Sequence, residues 1–124
     1  FVSGYVELHC HSAYSFRDGA SLPDELAAAA VRLGHHALAL TDHDGLHGAM
    51  ELANAVAEAG LPLRPIIGAE LTLAPDPGGG ERARHAHLTL LVESAAGYAN
   101  LCRLVSAAHT ADGLAQLRGI LNSY

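Results

Sequence analysis

Two histidines separated by one residue, and an aspartate shortly after them, indicate metal chemistry near the start of the chain. His9 and His11 lie in the stretch YVELHCHSAYSFRDGAS, and Asp18 follows seven positions after His11. Alternate residues of a strand share one face about 7 Å apart, so both imidazoles could reach one metal ion or two adjacent ions. With 9 histidines in 124 residues, roughly 0.6 such pairs arise by chance, so the place of the pair in the fold must decide. We predict that His9, His11 and Asp18 bind metal.

A second cluster, TDHD at 41–44, carries two carboxylates around a histidine. We predict that His43 binds metal and that Asp44 caps the helix that follows. Asp42 would then orient one of the metal ligands without binding the metal itself. Glu70 stands among apolar neighbours in GAEL, and a buried carboxylate needs a cation or another partner. The alternative for Glu70 is an exposed position at the edge of a strand.

The remaining histidines offer one further ligand. His85 and His87 form a second pair separated by one residue, and we prefer His87 because it opens an apolar strand. His47 lies in the first turn of a predicted helix, where it could face a substrate. We expect the other histidines to be surface residues or helix ends, and Cys10 to be packed rather than a ligand.

Hydrophobic patterning predicts strands that alternate with helices. The predicted strands cover 5–9, 36–40, 63–74 and 87–93, the predicted helices cover 21–34, 45–60 and 94–109, and a loop covers 75–82. Ser21 and Ser94 are the predicted helix N-caps, and Gly34 is predicted to take a left-handed conformation at a helix end. This order of elements predicts an α/β fold with mainly parallel strands.

The predicted elements would bring the candidate ligands to one edge of the sheet. His9 and His11 end the first predicted strand, His43 follows the second, and Glu70 lies late in the third. The carboxyl ends of parallel strands meet at one edge, where chemistry gathers in α/β folds. We therefore expect these residues to form one site, whereas His87 begins its strand and this rule does not place it.

The composition is that of an acidic domain with a hydrophobic core. Half of the 124 residues are hydrophobic, which suits a single globular domain. The chain has 7 Lys and Arg against 13 Asp and Glu, a net charge of −6, and shows no basic patch of the kind that binds DNA by charge alone. Two cysteines and the lack of an apolar run of about 18 residues predict a reduced, cytoplasmic protein that does not enter a membrane.

Four segments in order resemble the PHP (polymerase and histidinol phosphatase) domain. They are ELHCHSAYSFRDGAS, ALTDHDGLHGA, IIGAELTL and HLTLLVESAAGYANLCRLVSAAH. The resemblance is strongest to the PHP domain at the N-terminus of bacterial error-prone DNA polymerases, relatives of the DNA polymerase III alpha subunit. It implies a distorted (β/α)7 barrel with a multinuclear metal site. The metal ligands that it implies are His9, His11, Asp18, His43, Glu70 and His87, and the candidate catalytic residues are Asp18, which would bridge metals, and Asp42.

The resemblance also predicts how much of the barrel this chain supplies. The later strands of the family and a late Asp-x-His motif are not in the sequence, so we expect the first half of a PHP barrel. Residues 1–109 would form the N-terminal part of the domain, and 110–124 a divergent, helical tail. Because the late ligands are missing, we expect this chain alone to be a weak or inactive enzyme.

The function that the resemblance implies is metal-dependent hydrolysis of phosphate esters within a DNA polymerase. The metals would be Zn²⁺ or Mn²⁺, two or three in a complete domain. The substrate would be the 3′ end of DNA, in a 3′-5′ exonuclease reaction during replication or repair synthesis, and the partners would be the rest of a polymerase chain or its partner subunits. Two alternatives are a stand-alone phosphatase for a small phosphate ester and a structural PHP module without catalysis.

Overall fold

A computed structural model of the chain describes residues 4–73 and 86–110. Within these residues it contains three α-helices and three β-strands, numbered here in chain order. They are α1 (Pro23–Arg32), β1 (Ala37–Leu40), α2 (Ala49–Glu58), β2 (Arg64–Leu73), β3 (Ala86–Leu91) and α3 (Ala95–Ala108). The prediction of a mixed α/β fold is confirmed. The predicted loop at 75–82 and the predicted tail beyond residue 110 lie outside the described residues.

The three strands form one sheet in the order β1-β2-β3. β1 and β2 are parallel, with Ala37 opposite Arg64, and the connection between them contains α2. β2 and β3 are antiparallel, so the prediction of mainly parallel strands is wrong for β3. A parallel neighbour needs a crossover connection, usually a helix, and the Pro- and Gly-rich sequence between β2 and β3 has no helical pattern.

The predicted first strand, 5–9, forms only one parallel bridge to β1 in the described structure, at Glu7. The N–H of Ala39 donates to the carbonyl of Glu7 at 2.9 Å, and the N–H of Thr41 donates to the carbonyl of Cys10 at 2.8 Å. A step of two residues, from Ala39 to Thr41, therefore matches a step of three residues, from Glu7 to Cys10, which is the arrangement of a β-bulge. The extra residue interrupts the ladder and explains why a regular strand does not form there.

Helix α1 begins one residue later than its sequence signal predicts. Leu22, not Ser21, is the N-cap residue, and the carboxylate of Glu25 accepts a hydrogen bond from the Leu22 N–H at 2.9 Å. Pro23 occupies the first turn, where its missing N–H costs nothing. The predicted left-handed residue after the helix is confirmed, since Gly34 has φ = 80°.

Helices α2 and α3 differ in how well the sequence places their starts. α2 is present as predicted but begins at Ala49 after Gly48, so the predicted start at residue 45 and the predicted Asp44 cap are wrong. α3 is capped as predicted, because the Ser94 hydroxyl accepts from the Gly97 N–H at 3.1 Å. In the described part of the chain, no helix is long and apolar enough to cross a membrane.

Two apolar clusters attach the helices to the sheet. The first joins α1 and α2 to β1, and its buried members are Ala27, Ala30, Leu38, Leu40, Leu52, Val56 and Leu63. In the second, Leu101 of α3 packs against Ala69 and Leu71 of β2. Side chains alternate between the two faces of a strand, so Glu70 points to the face opposite Ala69 and Leu71. That opposite face carries the candidate site.

Candidate metal centre

The backbone pairing explains why ligands from distant segments reach one place. His43, three residues after the end of β1, forms a parallel bridge with Glu70 of β2. On β3, Thr89 is paired with Glu70 and His87 is paired with Thr72. Paired residues share a face of the sheet, so His87 lies on the same face as Glu70 and diagonal to it. The antiparallel direction of β3 therefore brings the start of β3, rather than its end, to the site.

The six predicted ligands form three overlapping groups. Within each group, one potential ligand atom from each residue lies within 4.8 Å of the others. The groups are His9, His11 and Glu70; His11, Asp18 and His43; and His43, Glu70 and His87. His11, His43 and Glu70 each belong to two groups, so every pair of groups shares one residue.

Glu70 is the centre of the first group. Nε2 of His9 and Nε2 of His11 each lie 2.5 Å from Oε2 of Glu70. The residue is 5% exposed, which rules out the alternative of a solvent-exposed strand edge. Burial by itself would raise the pKa of Glu70, but the hydrogen bonds with His9 and His11 outweigh burial, so this pKa lies below its usual value. The ionised, metal-binding form is therefore favoured.

The other two groups extend from this centre. Nε2 of His43 lies 2.5 Å from Oδ2 of Asp18, and Nδ1 of His11 lies 3.9 Å from the same oxygen. Nδ1 of His87 lies 3.1 Å from Oε1 of Glu70. The Asp18 side chain is 54% exposed, whereas the Glu70 side chain is 7% exposed. Asp18 thus marks the open side of the site, and Glu70 marks its floor.

Asp42 lies outside the three groups and is 2% exposed. Its Oδ1 accepts from the Ser12 N–H at 2.6 Å and from the Ser15 hydroxyl at 2.7 Å, and its Oδ2 accepts from the Ser12 hydroxyl at 2.7 Å. The Ser15 hydroxyl oxygen in turn accepts from the N–H of His43 at 3.0 Å. Asp42 thus ties the segment after His11 to the end of β1 and does not face the open side.

Asp44 has a different role from the predicted helix cap. It adopts φ = 49°, in the left-handed region that aspartate tolerates better than most residues. Its carboxylate accepts from the Thr72 N–H at 2.7 Å and from the Thr72 hydroxyl at 2.8 Å. Its own N–H donates to the carbonyl of Glu70 at 2.9 Å. Asp44 therefore attaches the loop after His43 to β2.

Sequence reasoning missed Ser12, Ser15 and Gly19, which shape the loop that carries Asp18. The two serines are 0% and 2% exposed, and the N–H groups of Asp18 and Gly19 both donate to the carbonyl of Ser15. A Cβ atom on Gly19 would lie 1.9 Å from the carbonyl oxygen of Ser12. The Gly after Asp18 was the only sequence signal for this loop. The two serines gave no signal, because small hydroxyl residues are usually exposed.

The remaining histidines and cysteines lie outside the three groups in the described part of the chain. His47 stacks on Tyr14, with 6.3 Å between the ring centroids. Cys10 packs against the cluster of α1, α2 and β1 as predicted, and burial raises the pKa of its thiol. Cys10 and Cys102 are both free. His85, the competitor of His87, lies outside the described residues.

The donor atoms that converge here fit a cluster of metal ions. Four imidazoles and two carboxylates approach one another, and the ion pairs among them involve no Lys or Arg in the described residues. Neutral imidazole and carboxylate oxygen are ligands for Zn²⁺, Mn²⁺ and similar divalent ions. A shared residue between each pair of groups suits ions that lie next to one another.

The fold and the site define a member of the PHP domain family, and the chain belongs to it. The family matches residues 7–123. Similar curated proteins include the error-prone DNA polymerase of Mycobacterium bovis, 52% identical over 116 residues, and that of Cutibacterium acnes, 45% identical over 114 residues. These matches cover 88% and 90% of this chain, but the chain spans only about 10% of the length of either relative.

Two solved structures share this fold. One is a protein from Bifidobacterium adolescentis described as a metal-dependent phosphoesterase, with a TM-score of 0.52 and 34% identity over 69% of this chain and 26% of that chain. The other is an amidohydrolase from Chromobacterium violaceum with bound sulfate and no metal, with a TM-score of 0.56 and 34% identity over 82% of this chain and 35% of that chain.

Proposed function

We propose that this chain forms the metal-binding part of a PHP domain that hydrolyses phosphate esters within an error-prone DNA polymerase. The observation that carries the proposal is the set of three ligand groups with shared members His11, His43 and Glu70. The relatives named error-prone DNA polymerase support the setting, and the solved phosphoesterase supports the type of reaction. The sheet would then be part of a (β/α)7 barrel, with 1–109 as the N-terminal part of the domain and 110–124 as a tail.

The proposed metals are Zn²⁺ or Mn²⁺, two or three in the complete domain. His9, His11 and Glu70 would hold one ion, and His11, Asp18 and His43 would hold a neighbouring ion on the open side of the site. Bound divalent ions of this kind make a water molecule more acidic and neutralise phosphate oxygens. The six ligands carry only two negative charges, so the loaded site attracts a phosphate although the chain has a net charge of −6.

Some residues of the site would contact the substrate, and others would position the metal ligands. Asp18 and His9 lie on the open side, where the side chains are 54% and 52% exposed, so a substrate can approach them. Asp42 is buried and its oxygens accept three hydrogen bonds, so we assign it to positioning His11 and His43 rather than to proton transfer. Its oxygens are already occupied by these donors and lie away from the open side, so a substrate does not reach them.

The proposed substrate is the 3′ end of DNA, and the proposed reaction is 3′-5′ removal of a nucleotide in the cytoplasm. The partners would be the rest of the polymerase chain and its subunits. A stand-alone phosphatase and a non-catalytic structural module remain the two alternatives from the sequence. They differ in measurable ways, because a phosphatase prefers a small ester and a structural module hydrolyses neither substrate.

The test is hydrolysis of a single-stranded oligonucleotide and of glycerol phosphate, with Mn²⁺ and with Zn²⁺, by the metal-loaded full polypeptide that carries this chain. We expect faster release of nucleotides from the oligonucleotide than of phosphate from glycerol phosphate. His11→Ala should abolish the activity, while His36→Ala, at an exposed histidine outside the three groups, should retain it. Equal activity in the two variants would show that the three groups are not the site.

A further inference from the structure

Phe16 is the most exposed of the large apolar side chains in the described part of the structure. It is 84% exposed, compared with 69% for Leu33 and 60% for Met50. Burying an aromatic ring is favourable by a few kcal/mol, so the fold gains nothing from leaving this ring in solvent. Phe16 also lies two residues before Asp18, and two residues span at most about 7 Å. The backbone of Phe16 therefore lies close to Asp18 on the open side of the metal centre.

The loop that presents Phe16 is anchored on both sides. Ser12 and Ser15 are buried and bonded to Asp42 before it. After it, the N–H groups of Asp18 and Gly19 donate to the Ser15 carbonyl at 3.0 and 2.9 Å. The backbone that carries Phe16 is therefore already ordered, so a ligand that binds there need not order the loop.

Arg17, between Phe16 and Asp18, has two unusual features. Its backbone is in the left-handed region, with φ = 75°, which is strained for a residue with a Cβ atom and is often found at functional sites. It is also the only Lys or Arg in the first 31 residues of the chain. A cationic residue with a strained backbone therefore lies next to an exposed aromatic residue. Both are at the edge of the proposed site for an anionic substrate.

We propose that Phe16 stacks on the base of the nucleotide whose phosphate ester is held at the metal centre, while Arg17 binds a phosphate of the same strand. This inference rests on the proposed function and adds a reason why a nucleic-acid strand would be chosen over a small ester. Stacking suits a polymerase accessory site, because every base has an aromatic face and no particular sequence is selected.

The test measures binding, so that it does not depend on hydrolysis. The full polypeptide that carries this chain, loaded with Mn²⁺, is titrated with two single-stranded phosphorothioate oligonucleotides. One ends in thymidine and the other ends in an abasic residue. We expect the thymidine end to bind about tenfold more tightly. Phe16→Ala and Phe16→Leu should remove this preference, and Phe16→Tyr should keep it.

Matched variants separate stacking from other roles. Leu33→Ala removes another exposed apolar side chain, distant in sequence from the ligands, and should keep the preference. Arg17→Gln should weaken the binding of both oligonucleotides equally. It should also reduce the steepness of log affinity against log salt concentration by about 0.7. Equal binding of both ends by the wild type, or a preference that survives in Phe16→Leu, would overturn the proposal. So would a Phe16→Ala variant that only unfolds more easily, since that result assigns Phe16 to packing against another part of the protein.

The same experiment keeps the two proposals apart. Failure to hydrolyse the unmodified oligonucleotides, with full metal content, counts against the proposed exonuclease function. The difference in affinity between the thymidine and abasic ends decides the role of Phe16 in either case.

Discussion

The six candidate ligands differ in how many of the three ligand groups they belong to. His9, Asp18 and His87 each belong to one group, whereas His11, His43 and Glu70 each belong to two. Among the shared residues, Glu70 combines a negative charge with 5% exposure. A shared anionic ligand reduces the repulsion between neighbouring cations, so its loss affects more than one ion.

Substitution of Glu70 should therefore remove more metal than substitution of His9. We expect Glu70→Gln to lower metal affinity by at least about tenfold at two positions, and His9→Ala to affect one. The measurement is bound metal per chain by elemental analysis after equilibration at a fixed free metal concentration. Glu58→Gln, at an exposed glutamate at the end of α2, is the matched control. An equal loss in Glu70→Gln and His9→Ala would contradict the shared role.

Asp42 should matter for stability even without metal. Asp42→Ala leaves the Ser12 N–H and the hydroxyls of Ser12 and Ser15 without their buried acceptor. An unsatisfied buried donor costs about 1–3 kcal/mol, so we expect a loss of about 3 kcal/mol in the free energy of unfolding. Urea denaturation in EDTA measures it, with Asp24→Ala on the exposed start of α1 as the control. A loss no larger than that of the control would show that the hydrogen bonds of Asp42 do not stabilise the fold.

The convergence of the candidate ligands could be predicted from residue type and position, but the residues that hold them in place could not. His9, His11, His43 and Glu70 follow from strand ends and from the cost of burying a charge. The serines that bind Asp42 have no such signal, because serine is common in loops. Asp44 looked like a helix cap because it precedes a helix, yet its carboxylate binds Thr72. Only the tertiary contact decides between these two partners.

The secondary-structure elements follow the sequence where a local signal exists. Helices α1 and α3 were predicted within a few residues, because their apolar spacing and the capping Ser94 are local features. The first segment and the direction of β3 were not predictable in the same way. A bulge against β1 and an antiparallel neighbour of β2 depend on pairing between distant residues. These two features bring His9 and His87 to the site.

The loop between the first segment and α1 should be intolerant of a side chain at Gly19. Gly19→Ala would place a Cβ atom 1.9 Å from the Ser12 carbonyl oxygen, which is backbone and cannot turn aside. We expect a loss of about 2 kcal/mol in the free energy of unfolding and a weaker metal site, since Asp18 moves with the loop. Gly4→Ala is the matched control, because nothing lies within 4 Å of its added Cβ. Similar unfolding midpoints for both variants would contradict the packing of this loop.

The candidate metal centre links parts of the chain that the apolar clusters leave separate. One cluster joins α1 and α2 to β1, and the other joins α3 to β2. The ligand groups connect the first segment, the end of β1, β2 and β3 on the opposite face. Because an unfolded chain cannot hold these candidate ligands together, metal binding would stabilise the fold as a whole.

Metal should accordingly raise the stability of the whole molecule. At a free Mn²⁺ or Zn²⁺ concentration about 100 times Kd, we expect the free energy of unfolding to rise by about 2.7 kcal/mol for one site. Urea denaturation with and without metal measures the rise, and EDTA should reverse it. His11→Ala should lose most of the rise because His11 belongs to two groups, while His36→Ala should retain it. If His11→Ala were stabilised by metal as strongly as His36→Ala, the stabilising ions would have to bind elsewhere, and the three groups would not be the metal centre.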